Sequence, residues 1–224
     1  METDKSEIIY LLPGLGANHR GYIFQQQLSL PIEVLDYTKP ISENESIESY
    51  AARLIDRMDL SKKIGLIGNS FGGLLSIEIA KQVKIQKTVL VSSVKNKSEM
   101  PARIYLQKHF HLYKWISGGQ YQFMATQLFH LLGARKGGAI AESIKLMVSE
   151  VPKPFISWGV KQIVNWQNEI VPDNVYHIHG TSDEIFPFQL IRNSIPIYGG
   201  SHIMIFTKHN EVNLKLLNLF NSHS

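Results

Sequence analysis

The stretch from Lys62 to Val83 constrains the fold of this chain more than any other. It begins with Ile64 to Ile67, an apolar run that is too short for a helix, which is typical of a buried parallel strand. Between this run and a second apolar pattern lies Gly68-Asn69-Ser70-Phe71-Gly72, a G-x-S-x-G sequence. The second pattern has the spacing of a helix packed on a sheet and consists of Leu74, Leu75, Ile77, Ile79, Ala80 and Val83. The stretch therefore predicts a strand that turns at once into a helix, with Ser70 at the turn.

A turn this sharp makes specific demands on its residues. The residue at the turn takes a strained backbone conformation and exposes its side chain at the edge of the sheet. Gly68 and Gly72, two residues before and two after, must be very small because the incoming and outgoing backbones nearly touch there. The helix start adds free N–H groups and a positive dipole end beside Ser70. The alternative is a glycine-rich turn in which the serine is incidental, but the flanking strand and helix favour a functional serine.

Strand and helix patterns alternate through the first part of the chain. Helical patterns lie at Gly21–Leu28 and from a capping box of Ser42 with Glu45 to Met58. A last amphipathic helix is predicted at Asn210–Phe220. The predicted strands are the apolar or β-branched runs Ile8–Leu12, Ile32–Tyr37, Ile64–Ile67, Thr88–Ser93, Val175–His179 and Ser194–Tyr198. This alternation predicts an α/β fold with a doubly wound, mostly parallel sheet.

The alternation stops between residues 95 and 166, where no strand is evident. Helical patterns separated by glycine or proline predict an inserted helical cap at 95–166, on a core formed by 1–94 and 167–224. The predicted cap helices are Pro101–Trp115, Tyr121–Leu132, Ala139–Val148 and Phe155–Trp166. Residues 95–165 contain ten Lys and Arg against three Asp and Glu, a balance of +7, whereas the rest of the chain has a balance of −3. This charge belongs either to a solvated surface or to a cap that attracts anionic ligands. The arrangement of these basic residues does not favour nucleic-acid binding.

Composition removes several classes of chemistry. The 224 residues include no cysteine, which excludes disulfides, thiolate catalysis and cysteine-based zinc sites. The polar stretch Met1–Glu7 does not have the pattern of a signal peptide. No apolar run approaches the roughly 20 residues of a membrane span. We therefore expect a cytoplasmic protein without a membrane span.

Three segments resemble the α/β-hydrolase superfamily, in the family's order of nucleophile, acid and base. Gly68–Gly72 matches its nucleophile elbow, His179–Pro187 resembles the loop that carries its acid, and Gly199–His202 resembles the loop that carries its histidine. Pro13–Gly16 stands where many members have His-Gly-x-Gly. The resemblance covers nearly the whole chain. It implies a trimmed sheet of about six parallel strands, without the family's first two strands, and a cap that determines the substrate.

The resemblance also implies roles for particular residues. Ser70, Asp183 and His202 would form the catalytic triad, and the backbone N–H groups of Leu15 and Phe71 would form the oxyanion hole. Asp183 has an alternative interpretation as a helix N-cap before Phe186-Pro187, and Glu99 is an alternative acid after the fourth strand.

Nine histidines are candidates for the catalytic base. Only His202 follows a terminal strand on a glycine-rich loop. His177 and His179 share one face of a strand and are expected to form a packed or hydrogen-bonded pair rather than a zinc site.

The function implied by the resemblance is a serine hydrolase that cleaves a small-molecule ester, thioester or related acyl compound without a metal or organic cofactor. One alternative is a non-hydrolytic lyase of the menaquinone-pathway type, although Leu74 stands where that enzyme has an arginine. Another is a ligand-binding scaffold that retains the triad. The oligomeric state is not predicted. Cap aromatics are expected to line an apolar pocket above Ser70 or to pack onto the sheet: Tyr105, Phe110, Tyr113, Trp115, Tyr121, Phe123 and Phe129.

Overall fold

The computed structural model describes residues 7–109, 119–120 and 146–222. Six strands form one sheet in the order β2-β1-β3-β4-β5-β6, and every neighbouring pair is parallel. The strands are β1 (Glu7–Leu12), β2 (Ile32–Val34), β3 (Lys63–Asn69), β4 (Lys87–Val91), β5 (Val175–Gly180) and β6 (Ile195–Ile197). The predicted parallel sheet of about six strands is therefore confirmed. The second strand ends at Val34, three residues earlier than the apolar pattern suggested.

Helices cover both faces of the sheet. They are α1 (Ile23–Gln26), α2 (Ile47–Ile55), α3 (Phe71–Gln82), α4 (Ala102–His109), α5 (Lys153–Asn165), α6 (Met204–Thr207) and α7 (His209–Asn221), and residues 146–150 are also helical. Among the helices of the described residues, none is both long enough and apolar enough to cross a membrane.

The predicted capping box of Ser42 with Glu45 is wrong. Helix α2 begins at Ile47, and its N-cap is Ser46, whose side chain accepts a hydrogen bond from the Ser49 N–H at 3.1 Å. Ser42 therefore lies too far from the helix to cap it. The buried carboxylate of Glu45 instead accepts from Arg53 Nε at 2.7 Å, an ion pair that a local pattern does not reveal.

The core consists of two apolar clusters, one on each face of the sheet. In β1, Tyr10 and Leu12 belong to the first cluster, whereas Ile9 and Leu11 belong to the second, as the alternation of side chains along a strand requires. Helices α2, α3 and α5 complete the first cluster, and residues 146–150 with α6 and α7 complete the second. Both faces of the parallel sheet are thus buried, which is the usual condition for such sheets.

Helix α5 lies in the range predicted as a cap, yet it packs directly on the first cluster. Phe155 is fully buried and stacks on Tyr37 with ring centroids 4.7 Å apart. The Trp158 Nε1–H donates to the Glu45 carbonyl at 2.8 Å. The last part of the inserted block thus contributes to the main core. The helices predicted at 121–132 and over most of 139–148 lie outside the described residues, so the extent of the cap stays a prediction.

Candidate active site

Ser70 stands alone between the end of β3 and the start of α3. Its backbone has a φ of 51° and a ψ of −116°, a combination that side-chain-bearing residues rarely adopt. A Cβ on Gly68 would lie 2.6 Å from the Gly72 carbonyl oxygen, and one on Gly72 would lie 2.6 Å from the Pro13 carbonyl oxygen. Both distances are shorter than real Cβ contacts allow, so the predicted need for very small residues at these two positions is confirmed.

The strained backbone of Ser70 is held by strand β4 and the residues after it. The Ser70 N–H donates to the Val91 carbonyl at 3.0 Å. The Ser93 hydroxyl donates to the Ser70 carbonyl at 2.7 Å. Both backbone polar groups of Ser70 thus have partners outside their own turn, which is the kind of support that a sparsely populated conformation needs.

The structure brings the three residues predicted as a triad into one hydrogen-bonded chain. Ser70 Oγ lies 2.9 Å from His202 Nε2. His202 Nδ1 lies 3.0 Å from Asp183 Oδ2 and 3.1 Å from Oδ1. The three follow β3, β5 and β6, and the carboxyl ends of parallel strands meet at one edge of a sheet. That shared edge explains how residues far apart in the chain come together.

Asp183 is buried and held by its own loop. Its Oδ1 accepts from the Ile185 N–H at 2.9 Å and from the Phe186 N–H at 2.8 Å. The N-cap interpretation is wrong, because no helix begins at these amides: the next one, the 3₁₀ helix Phe188–Leu190, has Pro187 as its N-cap. Burial raises the pKa of Asp183, but the hydrogen bond and charge of His202 and the Phe186 amide together lower it more, so the pKa lies below its ordinary value. Asp183 is thus a charged acceptor at neutral pH.

Glu99, the alternative acid, points to different partners. Its Oε2 accepts from the Lys95 N–H at 2.9 Å, and its Oε1 accepts from the Arg192 N–H at 3.0 Å. Lys95 Nζ also lies 3.0 Å from Oε1. The carboxylate thus joins the segment after β4 to the loop before β6, and the structure does not bring it to His202.

The Pro13–Gly16 loop is tied to the elbow by a buried relay. The Gly14 N–H donates to the Tyr22 hydroxyl at 2.8 Å, and that hydroxyl donates to Asn69 Oδ1 at 2.9 Å. Asn69 Nδ2 then donates to the Val91 carbonyl at 3.1 Å. Sequence reasoning missed Tyr22 and Asn69. Asn69 occupies a variable position of the G-x-S-x-G sequence, so the motif itself gives no signal for it.

Leu15 and Phe71 flank Ser70 on two different segments. A Cβ on Gly14 would lie 3.5 Å from the Ser70 Cβ, so the loop backbone passes very close to the serine. Among the described residues, the Leu15 N–H has no protein acceptor. Phe71 is the first residue of α3, so its N–H has no acceptor within the helix. Both N–H groups remain available as donors.

Two contacts connect the site loops to the inserted block. Arg103 of α4 donates to the Ile185 carbonyl at 2.7 Å and also to the Glu184 carbonyl, and the Glu184 carboxylate accepts from the His202 N–H at 3.2 Å. On the other side, Arg20 Nε lies 2.8 Å from Glu150 Oε2. The acid loop and the segment after the Pro13–Gly16 loop are therefore both anchored to residues of the block.

Only Tyr105 of the seven cap aromatics lies among the described residues. Its hydroxyl can donate to either of two carbonyls, that of Lys97 at 3.2 Å or that of Trp166 at 3.4 Å, and its ring packs against the first core cluster. Tyr105 thus packs on the core. The other six lie outside the described residues.

His177 and His179 form the hydrogen-bonded pair expected from their spacing, with His179 Nδ1 3.0 Å from His177 Nε2. Among the described residues, no three His, Asp or Glu side chains are grouped as a metal site would need.

No protein-family model matches the chain, and no curated protein matches it. Its fold is nevertheless similar to those of solved structures. An epoxide hydrolase from Bacillus megaterium, solved with an inhibitor, superimposes with a TM-score of 0.75 and 15% identity, covering 98% of this chain and 95% of that one. A malate-bound esterase from Thermogutta terrifontis gives 0.72 and 14%, covering 97% and 90%. An α/β-hydrolase enzyme from a deep-sea metagenome of the Medee basin gives 0.70 and 14%, covering 100% and 92%. This chain therefore has the α/β-hydrolase fold.

Proposed function

We propose that the protein is a serine hydrolase that cleaves an ester, thioester or related acyl compound through an acyl-enzyme on Ser70. The observation that carries this proposal is the 2.9 Å contact between Ser70 Oγ and His202 Nε2, made by a serine at a positive φ of 51°. A serine hydroxyl is a weak nucleophile until a neighbouring imidazole accepts its proton. The hydroxyl of Ser70 lies within hydrogen-bonding distance of His202 Nε2, which can accept its proton.

In the acylation step, Ser70 Oγ attacks the substrate carbonyl carbon while its proton passes to His202 Nε2. The carbonyl oxygen becomes an oxyanion, and the N–H groups of Leu15 and Phe71 donate to it. His202 is now an imidazolium, which the Asp183 carboxylate stabilises through its contact with Nδ1. The tetrahedral intermediate then collapses, and His202 gives the proton to the departing alkoxide or thiolate. Ser70 is left as an ester of the acyl group.

Deacylation repeats the sequence with water as the nucleophile. His202 Nε2 accepts a proton from water as the water oxygen attacks the acyl carbonyl, and the same two N–H groups stabilise the second oxyanion. Collapse breaks the bond to Ser70 Oγ, which recovers its proton from His202. The carboxylic acid leaves, and the enzyme returns to its starting state.

The inserted block supports a preference for anionic acyl compounds. It carries the balance of +7 noted above, but several of its described basic residues already have partners. Lys95 pairs with Glu99, Lys97 pairs with Glu169, and Arg103 donates to backbone carbonyls. The proposed preference therefore rests on the net charge of the block in the sequence.

A labelling experiment separates this proposal from its alternatives. The purified protein is treated with a fluorophosphonate probe and assayed on p-nitrophenyl esters and acyl thioesters, with Ser70→Ala as the matched control. We expect covalent labelling of Ser70 by mass spectrometry, turnover of at least one ester or thioester, and loss of both in Ser70→Ala. Labelling of Ser70 without turnover would favour the non-hydrolytic use of the same residues. Absence of labelling would favour a binding scaffold, and either result would overturn the hydrolase.

A further inference from the structure

A buried pair of histidines extends the hydrogen-bonded chain behind Asp183. His179 Nε2 lies 3.4 Å from Asp183 Oδ2 and 2.8 Å from the Phe186 carbonyl oxygen. On its other side, His179 Nδ1 lies 3.0 Å from His177 Nε2. His179 is fully buried, and His177 is 1% exposed. The proposed reaction uses neither ring directly, so their burial beside the acid calls for a physical explanation.

The contacts assign one tautomer to each ring. A carbonyl oxygen can only accept, so His179 Nε2 carries a proton and donates it to Phe186. The neutral ring then has an unprotonated Nδ1, which accepts from a protonated Nε2 of His177. Burial lowers the pKa of both histidines, well below the ordinary value in the case of His177, which keeps the rings neutral at pH 7. The pair is thus an ordered set of donors directed toward the acid loop.

Phe186 connects this pair to the carboxylate. Its N–H donates to Asp183 Oδ1, whereas its carbonyl accepts from His179. The turn from Asp183 to Phe186 is therefore held at both ends. The Oδ2 atom of Asp183 lies 3.0 Å from His202 Nδ1 on one side and 3.4 Å from His179 Nε2 on the other. The carboxylate plane cannot rotate without weakening at least one of these contacts.

We propose that His179, oriented by His177, is a positioning residue that holds the Asp183 carboxylate in the plane that His202 requires. The inference rests on the proposed function, because it matters for turnover only if Asp183 and His202 serve Ser70. His177 acts one step further away, by keeping the Nε2 proton of His179 on the side of Phe186. The charged groups that act on the pair are Asp183 and His202 from the site loops, and Lys95 and Glu99 from the segment after β4.

Two substitutions at position 179 isolate the Nε2 donor. His179→Gln places an amide N–H near the position of Nε2, whereas His179→Asn reaches only the position of Nδ1. We expect His179→Asn to lower kcat roughly 10-fold to 100-fold, by analogy with the outer partners of metal-bound histidines, and to leave KM within about twofold. His179→Gln should recover most of that loss. A purely structural role would not separate these two polar variants in kcat alone.

A spectroscopic measurement tests the same point without substrate. The Nδ1 proton of His202, hydrogen-bonded to Asp183, should give a downfield proton resonance in the wild type and in His179→Gln. In His179→Asn it should broaden or move upfield, because a mobile carboxylate lets this proton exchange with water. His209→Gln serves as a control, since the His209 ring stacks on Phe24 at 3.9 Å and has no part in the site. Thermal unfolding of each variant reports whether it is folded.

The outcomes of the two measurements are distinct. If the wild type cleaves no acyl compound, the proposed function fails, but the resonance still reports whether His179 holds the contact between Asp183 and His202. If His179→Asn is folded and keeps both its kcat and the downfield resonance, the positioning role is overturned. Equal losses in His179→Gln and His179→Asn would overturn it as well, because the Nε2 donor would then not be what matters.

Discussion

Leu15, which carries one of the two proposed oxyanion donors, rests its side chain against Gly159 in the middle of α5. A Cβ at Gly159 would lie 2.5 Å from Leu15 Cδ1, closer than side chains approach each other. The absence of a side chain at this position therefore leaves room for the Leu15 side chain against α5. A helix from the inserted block thus contacts the residue whose backbone N–H is proposed to serve the oxyanion hole.

Gly159→Ala is expected to separate activity from stability. Alanine is favoured over glycine in a helix by about 1 kcal/mol, and the contact is with the movable end of a leucine, so the free energy of unfolding should change by no more than that amount. The added methyl group should displace Leu15 and lower kcat several-fold. In the double variant Leu15→Ala/Gly159→Ala the clash is absent, so kcat should be higher than in Gly159→Ala alone. If the loss of kcat in the double variant equalled the combined losses of the two single variants, this explanation would be contradicted.

The triad residues should show the largest kinetic losses. Ser70→Ala and His202→Ala should each lower kcat by roughly 10⁴-fold to 10⁶-fold with the fold intact by circular dichroism, because such residues act as a unit. Asp183→Asn should cost about 10⁴-fold or less, by presenting the wrong tautomer of His202. Glu99→Gln is the matched carboxylate control and should have a much smaller effect on kcat. A tenth of the activity remaining in Ser70→Ala would refute the assignment of the nucleophile.

The buried histidine pair should make the fold sensitive to acid. The pKa of His177 is lowered, first by burial and then by electrostatic repulsion from a protonated His179 and from Lys95. In the unfolded chain histidine binds a proton below about pH 6.5, whereas the folded state keeps His177 neutral. The unfolded state therefore binds more protons, and stability falls as the pH drops from about 6.5 toward the folded pKa, by up to about 1.4 kcal/mol per pH unit.

Urea unfolding at several pH values between 5 and 7 measures this slope. The variant His177→Leu removes the titrating group and should flatten the slope in this range, even though it lowers stability at pH 7. The idea would be abandoned if the wild type and His177→Leu lost stability in parallel.

Lys87 should stabilise the docking of the C-terminal helix. Its ammonium donates to the carbonyls of Leu219 and Ser222, the latter at 3.2 Å, and lies 5.5 Å from the centre of the Tyr176 ring. These carbonyls belong to the end of α7, where no helical donor is available. Lys87→Met keeps the apolar stem but removes the donors, and should lower the free energy of unfolding by about 1–3 kcal/mol. The exposed Lys84→Met should change it little, and neither variant should change kcat.

The charge of the inserted block should appear as a salt-dependent substrate preference. Two esters of equal acyl length, one neutral and one with a distal carboxylate, are compared at low and high ionic strength. The anionic ester should have the higher kcat/KM at low salt, and the difference should fade as salt rises because mobile ions screen exposed charges. Equal kcat/KM values for the two esters at low salt would contradict the electrostatic preference. A gain for longer acyl chains over acetate would support the apolar pocket expected above Ser70.

The elbow was predictable because its demands are local. Gly68, Ser70 and Gly72 are close in sequence, and the clash that excludes larger residues involves the turn and the loop that it touches. Asp183 and His202 were predictable through the resemblance of their loops to those of the α/β-hydrolase superfamily, and they meet because parallel strands bring their carboxyl ends to one edge of the sheet. The relay from Gly14 through Tyr22 to Asn69 was not, because it joins segments that have no fixed spacing in the chain.

Helix α5 shows a second kind of limit. Its amphipathic pattern indicated a helix correctly, but such a pattern does not say which surface the apolar face will meet. Phe155 and Trp158 bury that face against α2 and α3, a choice decided by tertiary packing alone. The capping box failed for a similar reason, since Glu45 found a partner in Arg53.

The positive φ of Ser70 has a consequence for anyone who evolves this protein in the laboratory. A side-chain-bearing residue in such a conformation costs of order 1–3 kcal/mol, and glycine would remove most of that cost. A screen that rewards heat resistance alone will therefore favour replacing Ser70 by glycine, which removes the nucleophile of the proposed chemistry. Selection for thermostability should therefore be paired with selection for turnover, because the most stable variants would otherwise include ones that lack the proposed nucleophile.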